Sequence, residues 1–438
     1  MTRNRAPYPI STRWCVLSKA KSTPRSPPDV KVVVTGLGVV SSAGIGKASF
    51  WDSICEGRSG VKTLEGVDTS RLKTKIAGQV ADFDPSALSY SAARNVDRFT
   101  QLALKACEEA VEESGVTGDP SRMGVILGTG VGGIGTIDNQ QYALHTHARG
   151  PQTLHPLTVP KAMFNAAAGH IAIHYGVRGP NFTVSTACSS GASAIGEAVR
   201  LIRHGYADAI IAGGTEAPLS YGMFAAWNAM RVMSVRNGEP GAAVRPFSKD
   251  RDGLVLSEGA AIVVLEREDL ARKRGAPIYA EVTGYGCSND GFHATRPSVD
   301  GQVAAIKDAL RDAQMSPDDI DYINAHGTAT TANDVTETEA VKQVLGDRAA
   351  RVPMSSIKSM LGHALGASGA IEFVSSCLSL RDGIVPPTIN LHSADPDCDL
   401  DYVPNEARQM PLNAVMSNTF AFGGCNVILT LRKPGTSH

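Results

Sequence analysis

Along the chain, short apolar runs alternate with stretches in which apolar residues recur every three or four positions. Two β-branched runs that end in glycines, KVVVTGLGVVS after Val30 and MGVILGTG at 123–130, predict buried strands. Residues 101–115 predict an amphipathic helix, because their apolar side chains form one stripe. Residues 192–205 and 207–216 predict a further helix and strand. This alternation is typical of an α/β protein.

The same order of elements recurs later in the chain. Residues 278–288 repeat the V-T-G-x-G letters of 34–38, and 302–314 repeat the helical stripe of 101–115. The later counterparts of 123–130 and of the stretch that starts at Cys188 are 320–328 and 365–380. The pattern predicts a duplicated α/β unit, with an N-terminal half at 30–275 and a C-terminal half at 276–434.

The offset between matching elements shrinks along the chain, from 248 residues to about 180. The first half must therefore carry the larger insertions, which we place at roughly 135–180 and 217–250.

Composition narrows the function classes. A chain of 438 residues can build its core without disulfides or metals. The formal net charge of −1 gives no reason to expect nucleic acid or a membrane surface as partner. The eight cysteines contain no C-x-x-C pair, so we expect free thiols, no metal site and a reducing compartment such as the cytoplasm.

Residues 1–29 stand apart from the globular pattern. Positions 1–28 hold six basic residues, no acid, and several Ser, Thr and Pro. This composition predicts either a disordered tail, which includes the case of an upstream start codon, or a transit peptide into a plastid or mitochondrion.

Cys188 lies among small residues just before the helix predicted at 192–205 (VSTACSSGASAIGEA, 184–198). At a helix N-terminus, free N–H groups and the helix dipole favour a thiolate, the nucleophilic form of cysteine. A lone core cysteine is more often inert packing. This motif alone leaves a nucleophile and a packing residue equally open.

His326 ends the buried run IDYINAHGT, where side chains of α/β proteins often face a cleft. Asp334 and Glu337 follow at the start of the next predicted helix, where carboxylates suit the helix dipole. A purely structural histidine and two capping acids remain open on these residues alone.

Lys358 and His363 precede a Gly/Ala-rich helix that contains Glu372 (SSIKSMLGHALGASGAIEF, 355–373). The small residues predict tight packing or close substrate approach.

Near the C-terminus, Phe420 and Phe422 are followed by two glycines. The backbone N–H groups there suit an oxyanion hole, and a plain turn into the last strand is the simpler alternative.

One thiol and two histidines together suit acyl transfer and condensation. The thiol captures the acyl group, and neutral imidazoles stabilise the enolate left by a decarboxylating malonyl group. A hydrolase more typically needs one histidine and one acid.

The four motifs, in this order and spacing, resemble β-ketoacyl-acyl-carrier-protein synthases of the elongating type, with synthase II nearest, and ketosynthases of type II polyketide systems. The resemblance covers about residues 31–432 and rests on ACSSG, NAHGT…D..E, KSMLGH..GA.G.IE and FGG, with RPF…DRDG….EGA at 245–260. It implies a thiolase-like α/β fold, with the duplicated unit in five layers α-β-α-β-α, and a homodimer joined near 135–180.

The resemblance also implies the activity. The chain would be a 3-oxoacyl-[acyl-carrier-protein] synthase of fatty acid biosynthesis, an acyltransferase that loads an acyl group on Cys188. His326 and His363 would then support decarboxylation of malonyl-carrier protein. Substrates would arrive on the phosphopantetheine of acyl carrier protein, so the resemblance implies no cofactor.

Further site residues are implied only by matching positions. Those supporting the histidines are Lys358, Glu337, Asp334 and Glu372, and we take Glu337 as the acid that holds Lys358. Phe422 would act as a gate and supply, with Cys188, the oxyanion-hole N–H groups. The implied acyl-pocket residues are Val131, Trp227 and Phe420. The candidates for docking the carrier are Arg94, Arg98, Arg149 and Arg231.

The sequence departs from the family pattern at several positions. Ala421 replaces a usual glycine between the two phenylalanines, which predicts a stiffer gate. Trp227 stands where phenylalanine is common, and Cys425 where threonine is common. Gln152-Thr153 replace basic residues, and Arg296 replaces a small one, so carrier recognition is expected to differ.

Two alternatives stay open, and two others are disfavoured by the sequence. A ketosynthase of a polyketide or specialised-lipid pathway shares the chemistry. A thiolase would need a second catalytic cysteine, for which Cys425 is the candidate. A non-catalytic partner subunit generally lacks the nucleophile, so Cys188 argues against it. The glycine spacing in 36–44 does not fit a dinucleotide-binding dehydrogenase.

Overall fold

The computed structural model describes residues 30–435, and its strands fall into two sets that repeat one arrangement. The strands of the first half are β1 (Val32–Ser41), β2 (Gly44–Ile45), β3 (Lys62–Thr63), β4 (Ile76–Ala77), β5 (Met123–Gly128), β6 (Asn181–Val184), β7 (Ala209–Glu216) and β8 (Gly259–Arg267). Five of them form a sheet in the order β6-β5-β7-β8-β1. Strands β6, β5 and β7 are parallel, whereas β8 and β1 run antiparallel to their neighbours.

The second half repeats this sheet. Its strands are β9 (Ala280–Asn289), β10 (Tyr322–Asn324), β11 (Met354–Ser355), β12 (Ile384–Val385), β13 (Arg408–Gln409), β14 (Ala414–Ala421) and β15 (Cys425–Arg432). The sheet order is β11-β10-β14-β15-β9, again with three parallel strands followed by two antiparallel ones. When the five sheet strands of each half are numbered along the chain, both sheets therefore read 3-2-4-5-1.

The duplicated unit predicted from the sequence is thus confirmed. The two sheets meet through a short antiparallel ladder between β1 and β9, formed by Val33 with Glu281 and Val34 with Ala280. We propose that the halves join between β8 and β9, in keeping with the predicted division at 275/276.

The helices complete five layers, as expected. They are α1 (Lys47–Cys55), α2 (Arg98–Ser114), α3 (Ile134–Thr146), α4 (Thr158–Ala162), α5 (Ala166–Tyr175), α6 (Ser190–Arg203), α7 (Tyr221–Met230), α8 (Glu268–Lys273), α9 (Val299–Asp312), α10 (Thr331–Leu345), α11 (Lys358–Leu361) and α12 (Ser368–Asp382). Helices α2 and α5 pack on the outer face of the first sheet, and α9 packs on that of the second, with α10 against α9. Helices α6 and α12 lie between the sheets and pack on each other.

Position in these layers explains the composition of the helices. Helix α2 is amphipathic and begins at Asp97, whose carboxylate accepts the N–H of Phe99 at 3.1 Å, and it ends at the left-handed Gly115. Helix α12 touches protein on all sides, and every residue from Ser368 to Leu380 is buried. Small residues let the central helices approach closely. Gly369 of α12, for example, packs against Ala192 of α6.

The two predicted insertions carry extra elements of the first half. Helices α4 and α5 and all but the first residue of α3 fall within 135–180, and α7 falls within 217–250. The pairs β3–β4 and β12–β13 form small ladders apart from the main sheet. Within residues 30–435, no helix has the length and apolar character needed to cross a bilayer. The expectation of a tail or transit peptide concerns residues 1–29, which lie outside the described range.

Candidate active site

Cys188 lies at the start of the central helix α6. A single helical turn, Ala187–Ser189, leads directly into the helix. Ala187 adopts the left-handed conformation, with φ of 53°, which turns the chain sharply at the end of the preceding loop. The turn is fixed by Ser190, whose hydroxyl donates to the Ala187 carbonyl at 2.6 Å and accepts the Thr186 N–H at 2.9 Å. The thiol is thus held at the position that the sequence predicted, before a helix N-terminus.

A cavity of about 300 Å³ leads from the surface to this thiol. Cys188, His326 and His363 lie at its inner end, and Met230, His293 and Arg296 lie at its exposed rim. Cys188 is only 6% exposed, so a substrate must reach its sulfur through this opening. The three predicted catalytic residues therefore share one cavity.

His363 is the histidine nearest the sulfur. Its Nε2 lies 3.2 Å from Sγ of Cys188, and its Nδ1 lies 2.9 Å from the hydroxyl of Ser368. The backbone of His363 is fixed as well, because its N–H donates to the Val255 carbonyl at 2.7 Å and its carbonyl accepts the Ser257 N–H at 2.9 Å. The first half of the chain thereby supplies anchors for a histidine of the second half.

His326 follows strand β10 and faces His363. The two rings are nearly perpendicular, with centroids 5.5 Å apart and an interplanar angle of 83°. Lys358 approaches His326 from behind, with Nζ 3.2 Å from Nδ1 and 2.6 Å from the backbone carbonyl oxygen. Since Lys358 occupies Nδ1, the other ring nitrogen of His326 is free for a substrate in the cavity.

The predicted acidic partner of Lys358 is wrong. Lys358 forms a fully buried ion pair with Glu372 of α12, not with Glu337. The carboxylate of Glu337 instead accepts the backbone N–H groups of His326 at 2.9 Å and Gly327 at 2.8 Å. The acid in α12 lies where the Lys358 side chain ends, whereas Glu337 is occupied in holding the loop that carries His326.

Asp334 holds the same loop from its far side. Its two oxygens accept the N–H of Thr328 at 3.1 Å and of Phe247 at 2.9 Å. Arg251 lies 3.6 Å away and provides a buried positive charge. Asp334 and Glu337 thus lie on α10 but serve the loop after β10, so the sequence-based alternative of helix capping misses their main contacts.

Burial controls the protonation of the site. Burial raises the pKa of the Cys188 thiol to about 12, although the charge of Lys358 and the Phe422 N–H oppose this rise. Burial, and then the charge of Lys358, hold the pKa of both His326 and His363 well below the ordinary value. The resting site therefore holds a thiol and two neutral imidazoles at neutral pH.

The backbone N–H of Phe422 is directed at the sulfur of Cys188. The Phe422 ring stacks on Trp227, with centroids 5.9 Å apart and planes 18° apart. Gly424 is required where it stands, because a Cβ there would lie 2.6 Å from Cβ of Asp290. Ala421 is extended, with φ of −130° and ψ of 156°, so alanine fits this backbone without strain.

Glu216 is a site residue that the sequence analysis missed. It ends strand β7, is 0% exposed and accepts four hydrogen bonds. The donors are the Thr129 hydroxyl at 2.8 Å and the N–H groups of Gly130 at 2.6 Å, Val131 at 3.1 Å and Gly366 at 2.9 Å. Glu216 therefore joins a first-half loop to the turn after His363. A carboxylate ending the otherwise apolar run AIIAGGTE is the signal that could have revealed it.

Two of the three predicted acyl-pocket residues line the cavity, and one does not. Trp227 and Phe420 line the cavity, as does Phe422. Val131 does not line it and instead belongs to the loop bound to Glu216, with its N–H 3.1 Å from the carboxylate.

Of the four predicted docking arginines, one is held in an ion pair and three are exposed. The prediction fails for Arg98, whose guanidinium is bound to Glu258 at 2.7 Å and to the Val80 carbonyl at 2.7 Å. Arg94, Arg149 and Arg231 are exposed, and of these Arg231 is flanked by the rim residues Met230 and Val232. Arg231 is the predicted docking residue that lies beside the opening.

Comparison with known proteins gives consistent matches over most of the chain. Residues 29–271 match the family of β-ketoacyl synthase N-terminal domains, and 279–392 match that of the C-terminal domains. The 3-oxoacyl-[acyl-carrier-protein] synthase 2 of Coxiella burnetii is 48% identical over 413 residues, which span 92% of this chain and 98% of that protein.

Two solved ketosynthase structures are similar throughout. The ishigamide ketosynthase/chain length factor matches with a TM-score of 0.88 and 35% identity, over 93% of this chain and 100% of that one. A type II polyketide ketosynthase bound to the hexaketide and in complex with its acyl-carrier protein matches with a TM-score of 0.86 and 36% identity, over 92% of this chain and 99% of that one.

Proposed function

Because this chain belongs to the β-ketoacyl synthase family, we propose that it condenses an acyl group on Cys188 with a malonyl thioester on acyl carrier protein. The reaction is a decarboxylative carbon–carbon bond formation of the 3-oxoacyl-[acyl-carrier-protein] synthase II type. The observation that carries the proposal is the meeting of one thiol and two neutral histidines in one cavity.

The first step loads the acyl group. The Cys188 sulfur attacks the thioester carbonyl, a new thioester bond forms, and the bond to the pantetheine sulfur breaks. The thiol proton leaves with the departing pantetheine thiol. The developing oxyanion is supported by the N–H of Phe422, which is directed at this sulfur, and by the N–H of Cys188 itself.

The second step removes CO₂ from the malonyl group. The carbon–carbon bond to the carboxylate breaks, and its electron pair becomes an enolate whose oxygen needs donors. His326 and His363 supply them, because their low pKa values keep both rings neutral. A neutral imidazole donates one hydrogen bond and does not lose its function through titration near pH 7.

The third step joins the two chains. The enolate carbon attacks the acyl thioester on Cys188, the new carbon–carbon bond forms, and the sulfur leaves. The product is a β-ketoacyl chain on the carrier that is two carbons longer, and the thiolate takes up a proton. The apolar cluster around the sulfur surrounds the acyl chain and includes Phe224, Trp227, Met233, Leu254, Leu256 and Leu365.

We propose that the carrier docks at the rim of the cavity. Arg231 and Arg296 are exposed there, and neither has an acidic partner among the described residues. Arg296 packs over the ring of Phe292 at 5.1 Å, and Phe292 is 63% exposed. Two free cations beside exposed apolar surface suit an acidic carrier protein and the phosphate of its prosthetic arm.

We further propose a homodimer. The insertion at 135–180 exposes large apolar side chains, with Tyr142 72%, Val159 68% and Ile173 69% exposed. Strand β6 ends the sheet, and within residues 30–435 it pairs on one side only. Such an edge beside an apolar patch suits pairing with a second copy.

The free state of the seven described cysteines supports a reducing compartment, and we propose the cytoplasm. A transit to a plastid or mitochondrion is the alternative attached to residues 1–29.

A polyketide or specialised-lipid substrate is the second candidate. It is favoured by the similarity to polyketide ketosynthases and by the Trp227–Phe422 stack, which brings two aromatic rings together in the lining of the cavity. Loading a series of acyl carriers of different lengths and oxidation states distinguishes the two pathways.

The deciding experiment is mass spectrometry of the full chain after incubation with acyl-carrier thioesters. We expect an acyl adduct on the Cys188 peptide, which malonyl-carrier protein then discharges as a β-ketoacyl product. An adduct on another cysteine, or product formed without malonyl-carrier protein, would contradict the proposal.

A further inference from the structure

Each of the two histidines has one polar group within hydrogen-bond distance of Nδ1. For His326 this group is the ammonium of Lys358, at 3.2 Å, and for His363 it is the hydroxyl of Ser368, at 2.9 Å. Ser368 is 3% exposed and is the first residue of α12. The proposed mechanism gives Ser368 no task of its own.

We propose that Ser368 is a positioning residue that donates its hydroxyl hydrogen to Nδ1 of His363 and so keeps the ring hydrogen on Nε2. This inference rests on the proposed function, since it explains how His363 presents a donor to the enolate. A neutral imidazole carries one N–H, and the group bound at one nitrogen decides which nitrogen has it.

Lys358 shows why a donor is needed. An ammonium group has no acceptor, so Nδ1 of His326 must accept, and its hydrogen must lie on Nε2. A hydroxyl can donate or accept, so Ser368 alone leaves both tautomers available to His363. Enolate stabilisation by both rings requires Nε2–H on both, and donation by Ser368 gives His363 the same tautomer as His326.

The surroundings of Ser368 favour this role. Its counterpart at the first position of the other central helix, α6, is Ser190. The Ser190 hydroxyl donates to the Ala187 carbonyl of its own turn at 2.6 Å. Ser368 faces the ring of His363 instead. Ser368 also does not line the cavity, so it acts on the substrate only through His363.

Nε2 of His363 is then a donor throughout the cycle. At 3.2 Å from Sγ, it supports the sulfur while the thiol proton departs, and it later turns to the enolate oxygen. The hydroxyl hydrogen stays on Ser368 in every step, so no proton is relayed through α12.

The test compares Ser368→Ala with Ser368→Thr, which keeps the hydroxyl. The matched control is Ser379→Ala, because Ser379 lies in the same helix and its buried hydroxyl has no hydrogen-bond partner among the described residues. Malonyl-carrier decarboxylation by the full chain is the kinetic readout. Nitrogen-15 NMR of the histidine rings reports the tautomer, with the His363 signals assigned by their loss in His363→Gln.

We expect Ser368→Ala to lower kcat about tenfold, the cost of one misdirected hydrogen bond, with KM within about twofold of the wild type. Its His363 signals should move towards a mixture of tautomers. Ser368→Thr should restore both the rate and the spectrum, and Ser379→Ala should match the wild type.

A wild-type rate or an unchanged His363 spectrum in Ser368→Ala overturns the inference. Failure of the proposed function would give a different result from failure of this inference. In that case the wild-type chain itself would not decarboxylate malonyl-carrier protein, whereas NMR would still report the tautomer of His363.

Discussion

The two halves start their central helices with the same turn but put different residues in it. Ala187–Ser189 leads into α6, and Leu365–Ala367 leads into α12. The first residue of each turn is left-handed, with φ of 53° at Ala187 and 46° at Leu365. The second residue is Cys188 in the first half and Gly366 in the second. One backbone device therefore serves two purposes.

The glycine explains the difference. A Cβ on Gly366 would lie 2.5 Å from the Gly130 nitrogen and 2.6 Å from the carboxylate of Glu216. Without a side chain, the turn comes close enough for its N–H to reach Glu216 at 2.9 Å. In the function that we propose, the first half uses the turn to present a nucleophile, and the second half uses it to fix His363. Duplication supplied the scaffold twice, and each copy took a different part of the chemistry.

Removing the proposed nucleophile of the first half should have the largest effect, because it should separate condensation from decarboxylation completely. We expect Cys188→Ala to lose condensation altogether but to keep malonyl decarboxylation, because both histidines remain. Product analysis by mass spectrometry, together with CO₂ release, measures the two activities. Cys425→Ala is the control and should condense normally. Loss of condensation in that control would favour the thiolase alternative, and full condensation by Cys188→Ala would refute the nucleophile.

Removing a donor from the second half should have the opposite selectivity. We expect His326→Ala to lower decarboxylation by about 10²–10³, the usual cost of losing one donor to a developing oxyanion. Acyl loading on Cys188 should continue, because His363 is the ring that contacts the sulfur. Loading and CO₂ release are measured separately, with the exposed His392→Ala as control. Equal loss of both activities would show that the division of labour is wrong.

Lys358 is the second-half residue whose positive charge acts on both histidines. We expect Lys358→Ala to slow decarboxylation about 10- to 10²-fold, because Nδ1 of His326 loses its donor. Removing the positive charge should also raise the pKa of His326 and His363, so both rings take up protons at higher pH than in the wild type. Histidine NMR titration measures this shift.

A companion variant isolates the cause. Burial raises the pKa of Glu372 to about 7 even beside Lys358, so the lone carboxyl of Lys358→Ala is buried without its partner. The double variant Lys358→Ala, Glu372→Gln removes that unpaired charge. It should regain stability without regaining rate. Recovery of the rate as well would mean that Lys358 only neutralises Glu372.

The fold could be predicted because its information is local and repeated. The strand and helix patterns of 31–41, 101–115 and 123–130 recur in order, and two sheets with one strand order follow from them. The candidate catalytic residues Cys188, His326 and His363 could also be named from the sequence, because the four motifs are specific when taken together in their order and spacing. Duplication made each half support the interpretation of the other.

Residues whose roles depend on distant contacts could not be assigned correctly. Glu337 and Glu372 are both buried acids of the second half, and only the packing of α12 beneath Lys358 decides between them. Arg98 looks like a surface cation until Glu258, 160 residues away, is seen to bind it. Glu216 accepts hydrogen bonds from two segments, the loop at 129–131 and the turn at Gly366, which no spacing along the chain reveals.

The glycine of the second turn offers a smaller perturbation. We expect Gly366→Ala to destabilise the fold by about 1–3 kcal/mol, as overpacking of a close contact does, and to lower kcat severalfold by shifting the turn next to His363. Urea unfolding and steady-state kinetics measure the two effects. The control is Gly238→Ala, because a Cβ at Gly238 meets no atom within 4 Å. Equal stability of the two variants would mean that close packing at Gly366 does not explain the asymmetry between the turns.

The smallest effect should come from the rim, where both halves also meet. Arg231 belongs to the first half and Arg296 to the second, and both are exposed at the opening, where neither has an acidic partner within residues 30–435. We expect Arg231→Ala and Arg296→Ala each to raise KM for the carrier a few-fold, about 1 kcal/mol, with kcat unchanged. Arg351→Ala, an exposed arginine that is not a docking candidate and does not line the cavity, is the matched control. Because the lost contacts are charge pairs at an exposed rim, added salt should weaken carrier binding less in the rim variants than in the wild type. If only Arg231→Ala raised KM, docking would belong to the first half, and the sharing seen at the sulfur would not extend to the carrier.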